Sequence, residues 1–349
     1  MKILSAPLDI CLGITNKCNL NCRHCLASDT RQAVDFSTEE LLGIIRQIEE
    51  LKIFSLAIFG GEPLVRKDFF QILDALCKIK FLKPSLNTNG TLITKEVARK
   101  LASYPISGFA VSLDGSTAQV QDPLRGKGSF AKNIEGIENL ISQRRHVLIS
   151  VTASRFNYQD ASNIVRLAKK LGASQVRFNE LMFVGNASCY HESLLMSPKQ
   201  KFELLSQLKS LRDEFGGFVT GSILQVVDIM QEMKGKPKEK FPLKIHSCGA
   251  GVKKCNIRPD GWVTPCEVLW GVKAGNLRES SLYDIWHNSE VMNDFRKTIE
   301  ITEKEIPVCK DCQYLRLCYK GHRCQPYYYP GEPFAHKELY CWREDVVSA

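Results

Sequence analysis

From residue 8 to about residue 215, short apolar runs alternate with longer stretches whose apolar positions recur every three or four residues. The short runs at 8–15, 56–59, 85–87, 108–113, 147–152 and 175–181 predict strands. The periodic stretches at 37–51, 68–79, 94–102, 130–142, 160–171 and 198–215 predict helices. Ser37, with Glu40 three residues on, supplies the capping-box start of the first helix. Six strand–helix units in series predict an α/β chain with a parallel sheet. Six is fewer than the eight that close a full TIM barrel, so the expected architecture is an open, partial (β/α)6 TIM barrel.

The alternation breaks between 216 and 243, at Gly216-Gly217, a lysine-rich run from Lys234 to Lys240, and Pro237 and Pro242. The domain boundary is placed there, giving 1–235 and 236–349. The lysine run is either a solvated linker or a docking patch. Beyond residue 245 helical periodicity fades and cysteines become dense. Such a segment is expected to be held together by metal rather than by a large apolar core. Its C-terminal aromatics, Tyr327 to Trp342, are expected to pack rather than bind ligand.

Composition adds limits. In 349 residues, 44% hydrophobic and 24% charged positions are ordinary for a globular protein. No apolar run approaches the ~18 residues of a membrane span. The N-terminus is too short and too weakly cationic for a signal peptide, which predicts a cytoplasmic location. There, thiols more often mean metal or catalysis than disulfides. The formal charge of +9 suits an acidic peptide or a flavodoxin- or ferredoxin-type electron donor. No nucleic-acid module is visible, and neither membrane nor nucleic acid is expected as a partner.

Eleven of the fourteen cysteines fall into two groups. Cys18, Cys22 and Cys25 form a CxxxCxxC loop directly after the first predicted strand. Cys248, Cys255, Cys266, Cys309, Cys312, Cys318, Cys324 and Cys341 form the second group. A [4Fe–4S] cubane with cysteine ligation uses four thiolates. Three leave one iron open to a small molecule, whereas eight would close two further cubanes. Taken alone, CxxxCxxC is also compatible with structural zinc. Cys11 and Cys77 read as small buried residues. Cys189, after the sixth strand, either contacts substrate or plays no part.

The cysteine loop, followed by Gly60-Gly61-Glu62-Pro63 after the second strand, resembles the radical S-adenosylmethionine (SAM) superfamily. The second group resembles the SPASM extension: Cys248, twelve residues, Gly261-Trp-Val-Thr-Pro-Cys266, then Cys309-Lys-Asp-Cys312, Cys318, Cys324 and Cys341. The chain departs from that pattern at one point. His322 stands where the family places a cysteine, and Cys324 comes two residues later; either could be the ligand. The resemblance implies one auxiliary cluster on Cys248, Cys255, Cys266 and Cys324, and another on Cys309, Cys312, Cys318 and Cys341.

That resemblance carries further expectations. SAM would chelate the open iron, and one electron from the reduced cluster would cleave it to a 5′-deoxyadenosyl radical able to abstract hydrogen from an unactivated carbon. Gly60 and Gly61 would let the backbone approach the methionyl amine, Glu62 would accept from it, and Pro63 would fix the turn. Ser112 and Asp114 would meet the ribose or carboxylate. Arg125 would pair with the SAM carboxylate or else be a solvated surface arginine. His24 would contact adenine, with iron ligation as its alternative; Leu181 would do the same or belong to the core. Glu267, after Cys266, matches an aspartate base of sulfatase maturases, and is either a base or a structural hydrogen-bond partner.

The expected activity is modification of a peptide or protein side chain by crosslinking, epimerisation or oxidation. Maturation of a small cofactor such as a haem or quinone precursor is the alternative, and an electron-transfer scaffold without SAM is the non-enzymatic one. Only seven residues precede the first predicted strand, so a separate protein is expected to supply any leader recognition.

Overall fold

The computed structural model describes residues 3–182, 184–224 and 249–297. Six parallel strands alternate with helices as the pattern predicts: β1 (Asp9–Gly13), α1 (Thr38–Glu50), β2 (Ser55–Phe59), α2 (Phe69–Lys78), β3 (Ser85–Thr88), α3 (Lys95–Ala102) and β4 (Gly108–Ser112). Then come α4 (Ala118–Arg125), α5 (Ser129–Ser142), β5 (Val147–Thr152), α6 (Ala161–Leu171) and β6 (Gln175–Asn179). Two single-turn helices, α7 (Asn186–Cys189) and α8 (His191–Leu194), precede α9 (Pro198–Phe215) and the short edge strand β7 (Val219–Thr220). Ser37 and Glu40 form the capping box that starts α1.

Strands β1 to β7 lie side by side in sequence order, all parallel. Right-handed crossovers in that order put every intervening helix on one face of the sheet. Alternation then gives each strand an apolar, helix-facing side. Ile10, Leu12, Ile149 and Val176 are fully buried with Leu41, Leu73 and Ile164 of the helices. Each such side chain contributes about 1.5–3 kcal/mol. The opposite, inner face is polar. Ser112, Ser150, Arg177 and Thr220 occupy one register row across β4 to β7.

The segment after residue 249 extends the same sheet. Strand β8 (Lys254–Ile257) pairs in parallel with β1, followed by antiparallel β9 (Trp262–Thr264) and β10 (Gly275–Asn276). Helices Leu282–Asn288 and Glu290–Lys297 send Leu282, Ile285, Trp286 and Met292 into the main core. This corrects the expectation of a segment with little helical periodicity and no large apolar core. Helices of 7 and 8 residues are too short to register in the windows that reveal a 3.6-residue period.

Candidate active site

The loops that follow β1, β2, β3, β4 and β6 converge at the C-terminal edge of the sheet, where barrel chemistry is normally sited. Glycines dock the second of these loops onto the first. Gly60, at φ +146°, and Gly61 lie so close to the cysteine loop that a Cβ would meet Thr15 O at 2.3 Å and Lys17 O at 2.2 Å. Gly61 N donates to Thr15 O at 2.7 Å and Glu62 N to Lys17 O at 2.9 Å. The two strands thus continue as backbone pairing up to the residue before Cys18. Asp35 holds the other side, accepting from Thr15 Oγ1 at 2.6 Å and Asn16 N at 2.7 Å.

Glu62 is fully buried between these loops. One carboxylate oxygen accepts from Thr88 Oγ1 at 2.9 Å and Leu64 N at 3.2 Å; the other accepts from Asn89 N at 2.7 Å. Burial pushes its carboxyl up to about 7 despite those three donors. Pro63 opens the single 3-10 turn Pro63–Val65 that follows.

A second buried carboxylate organises the cluster loop. Asp114 accepts from Arg125 Nε at 2.6 Å, His24 Nε2 at 3.1 Å and Thr152 N at 2.8 Å. Burial alone would raise Asp114, but Arg125 and His24 hold it below the usual carboxylate range. Burial depresses His24 to about 4, so the ring is neutral and its Nε2–H is committed to Asp114. Arg125 is buried at the end of α4 rather than solvated, and its Nη1 lies 3.9 Å from Cys22 Sγ. Ser112 ends β4, half-buried on the inner face. Leu181 packs with Leu124, Ala187 and Leu194 in a small apolar cluster of its own.

Two asparagines complete the loop's support: Asn89, in the Thr88-Asn89-Gly90 motif that follows β3, and Asn186, which the sequence pattern did not single out. Asn89 Nδ2 lies 3.8 Å from Cys18 Sγ, and Asn186 donates from N to Cys25 O at 3.0 Å and from Nδ2 to Cys22 O at 2.9 Å. Gly185, at φ +62°, lets that second contact form, since a Cβ there would meet Cys25 O at 2.5 Å. The signal available in sequence was a Gly-Asn pair after the sixth strand. Arg23 stacks over Phe156 and Tyr190, 5.6 and 5.5 Å from their ring centroids.

The donor set fits an iron–sulfur cluster. Three thiols share one loop, and Leu20 N, Asn89 Nδ2 and Arg125 Nη1 point hydrogen-bond donors at the sulfurs of Cys18 and Cys22. Such donors suit the net negative charge of a thiolate-ligated cubane. Among the described residues, no three His, Cys, Asp or Glu side chains converge as the ligands of a single ion would.

Of the second cysteine group, only Cys255 and Cys266 lie within the described residues; Cys248, Cys309, Cys312, Cys318, Cys324, Cys341 and His322 lie outside them. Cys255, on β8, packs in the main core beside Ile10, whereas Cys266 packs with Ala250, Leu269 and Phe295. Both oxygens of Glu267 accept from Lys254 Nζ at 3.0 Å. Cys11 and Cys77 are half-buried and Cys189 is exposed. The lysine run and the C-terminal aromatics also lie outside the described residues.

Comparison with known proteins agrees with this geometry. Residues 12–168 match the model of the radical SAM superfamily, and residues 248–313 match the SPASM iron–sulfur cluster-binding domain. The mycofactocin maturase MftC of Mycolicibacterium smegmatis is 31% identical over 91% of this chain and 78% of its own. The chain belongs to the radical SAM superfamily and carries a SPASM domain. The AdoMet-dependent heme synthase of Methanosarcina barkeri is also 31% identical, over 98% of both chains. Among solved structures, Streptococcus suis SuiB bound to its precursor peptide SuiA gives a TM-score of 0.76 at 17% identity, covering 97% of this chain and 77% of that one. The AdoMet-bound anSMEcpe gives 0.70 at 19%, covering 97% and 95%. Those two likenesses establish the fold. A radical SAM enzyme of this type uses [4Fe–4S] clusters and SAM. Among the described residues no helix is long and apolar enough to cross a membrane.

Proposed function

We propose that this enzyme generates a 5′-deoxyadenosyl radical and uses it to modify a peptide or protein side chain. The observation that carries the reading is the three-thiol loop clamped beside a buried glutamate at the mouth of a polar-lined barrel. Cys18, Cys22 and Cys25 would hold the cluster, leaving one iron for SAM. A cluster bound there would supply the electron for SAM cleavage and so the radical for hydrogen abstraction.

The chain's own residues have the following roles. Glu62 meets the ammonium of the methionyl group, whose charge would favour the carboxylate over its protonated form. Gly60, Gly61 and Pro63 fix the backbone at that contact. Asp114 holds His24 and Arg125 in place; Arg125 stands beside Cys22 with donors left for a carboxylate, since its Nε alone is bonded to Asp114. Ser112 and Leu181 border the nucleoside. The polar inner face, including Ser150, Thr152 and the exposed Arg177, suits a polar substrate. Glu267 would act as a base near the auxiliary clusters only after parting from Lys254.

Residues 1–235 would form the barrel domain and 236–349 the SPASM domain with two auxiliary clusters, giving three [4Fe–4S] clusters in all. A flavodoxin- or ferredoxin-type protein would supply electrons, and a separate protein would recognise any leader, both in the cytoplasm. A second reading, conversion of a tetrapyrrole, is favoured by the heme synthase match across nearly the full length of both chains. Anaerobic reconstitution with SAM and dithionite should yield 5′-deoxyadenosine; none would refute the radical reading. Adding candidate precursor peptides or an iron-tetrapyrrole precursor, with product mass as readout, separates the two substrates.

A further inference from the structure

We propose that Trp270 is a positioning residue for SAM binding: its indole N–H steadies the cysteine loop in the shape that receives the methionyl group. This rests on the reading that SAM binds beside that loop. Trp270 lies between β9 and β10 and is buried. Its ring stands edge-on to Phe59, with centroids 6.1 Å apart, and the Arg258 guanidinium lies 5.1 Å from the ring centroid. Arg258 Nη1 also donates to Trp270 O at 2.6 Å, so ring and backbone are both clamped.

From that clamped ring a chain of hydrogen bonds runs in one direction. Trp270 Nε1 donates to Thr30 Oγ1 at 3.3 Å, and Thr30 Oγ1 in turn donates to Asn16 Oδ1 at 2.8 Å. Asn16 donates to Asp35 Oδ1 from N at 2.7 Å and from Nδ2 at 3.0 Å. The other oxygen of Asp35 accepts from Thr15 Oγ1 at 2.6 Å. Trp270, Thr30, Asn16 and Thr15 are all buried, where successive bonds strengthen one another and an unmet polar group is costly. The Thr30 hydroxyl has one proton and a second acceptor within reach, Ala27 O at 3.2 Å. An indole N–H fixed on its lone pair restricts that rotation. The chain ends where the site begins. Lys17 N donates to Thr15 Oγ1 at 3.1 Å, and the carbonyls of Thr15 and Lys17 are the ones that fix Gly61 and Glu62.

The test measures SAM binding rather than turnover. Iron-loaded, unreduced wild type is equilibrated with radiolabelled SAM beside Trp270→Phe, Thr30→Val, Thr30→Ser and the Trp270→Phe Thr30→Val double variant. Phenylalanine keeps the ring contacts and drops the donor, so W270F should weaken SAM binding about three- to tenfold with iron content unchanged. T30V should weaken it to a like degree, and T30S, which keeps the hydroxyl, should match wild type. In the T30V background W270F should add less than about twofold, because both changes cut one chain. A purely structural tryptophan would lower the unfolding temperature and leave SAM affinity alone. SAM affinity within about twofold of wild type in W270F, or an undiminished effect of W270F in the T30V background, would overturn the proposal. Should W270F fail to fold, an indole isostere with sulfur in place of N–H at position 270 takes its place, with the same expected loss. Wild type that binds no SAM would overturn this inference together with the proposed function, whereas normal binding in the variants overturns this inference alone.

Discussion

The two cysteine-bearing regions are built on opposite principles. In the loop from Cys18 to Cys25 the thiols stand at the open edge of a sheet, and the backbone around them is held by polar contacts from loops after β2, β3, β4 and β6. Around Cys255, on strand β8, and Cys266, in the bend after β9, the neighbours are apolar. Directed, charge-bearing support presents a cluster to a small polar ligand. Apolar strand packing instead fixes a scaffold, and a cysteine in it can serve as a hydrophobic residue.

The contrast can be tested residue by residue. The largest effect is expected from Cys22→Ala, which should lower iron by about four per chain and abolish 5′-deoxyadenosine formation, read by iron analysis and chromatography. Asp114→Ala should follow. It strands the buried Arg125, and leaving one partner of such a pair costs about 3–5 kcal/mol, measurable by denaturant unfolding. The corresponding change in the scaffold region, Lys254→Met, removes a pair whose side chains are 27% and 36% exposed, and should cost under about 1 kcal/mol.

Between these lies a pH effect at Glu62. Its folded value of about 7 is raised above the ordinary 4.5, so the folded protein binds the extra proton more tightly than the unfolded chain does. Stability from this group is fully present below about 4.5 and is lost as pH rises through 7. Without SAM, wild type should lose roughly 3 kcal/mol relative to Glu62→Gln between pH 5 and 8. Thermal unfolding across that range checks it, and SAM should offset the loss in wild type alone. Gly61→Ala should cost about 1–3 kcal/mol, because the added methyl presses on Lys17 O.

Much of this contrast was legible before the structure. Strand alternation located the barrel, and the cysteine and GGEP spacings identified the loops that meet. The helix α4 was missed because Asp122-Pro123 interrupts its pattern, although it delivers Arg125. The role of Asp114 as a holder of His24 and Arg125 was hidden too, since it depends on which groups burial brings within reach. Asn186 reaches the cysteine loop across 164 residues of sequence, beyond any local pattern. The burial of Cys255 in the main core was likewise invisible, because cysteine is both a common ligand and a common core residue.

The account turns on an iron left open by the three-thiol loop. The most direct measurement is the electron paramagnetic resonance spectrum of the reduced protein before and after SAM is added, under strict exclusion of oxygen. Binding at that iron should shift the cluster's signal in wild type, and Cys22→Ala should show neither the signal nor the shift. An unchanged spectrum in fully loaded wild-type protein would contradict the account.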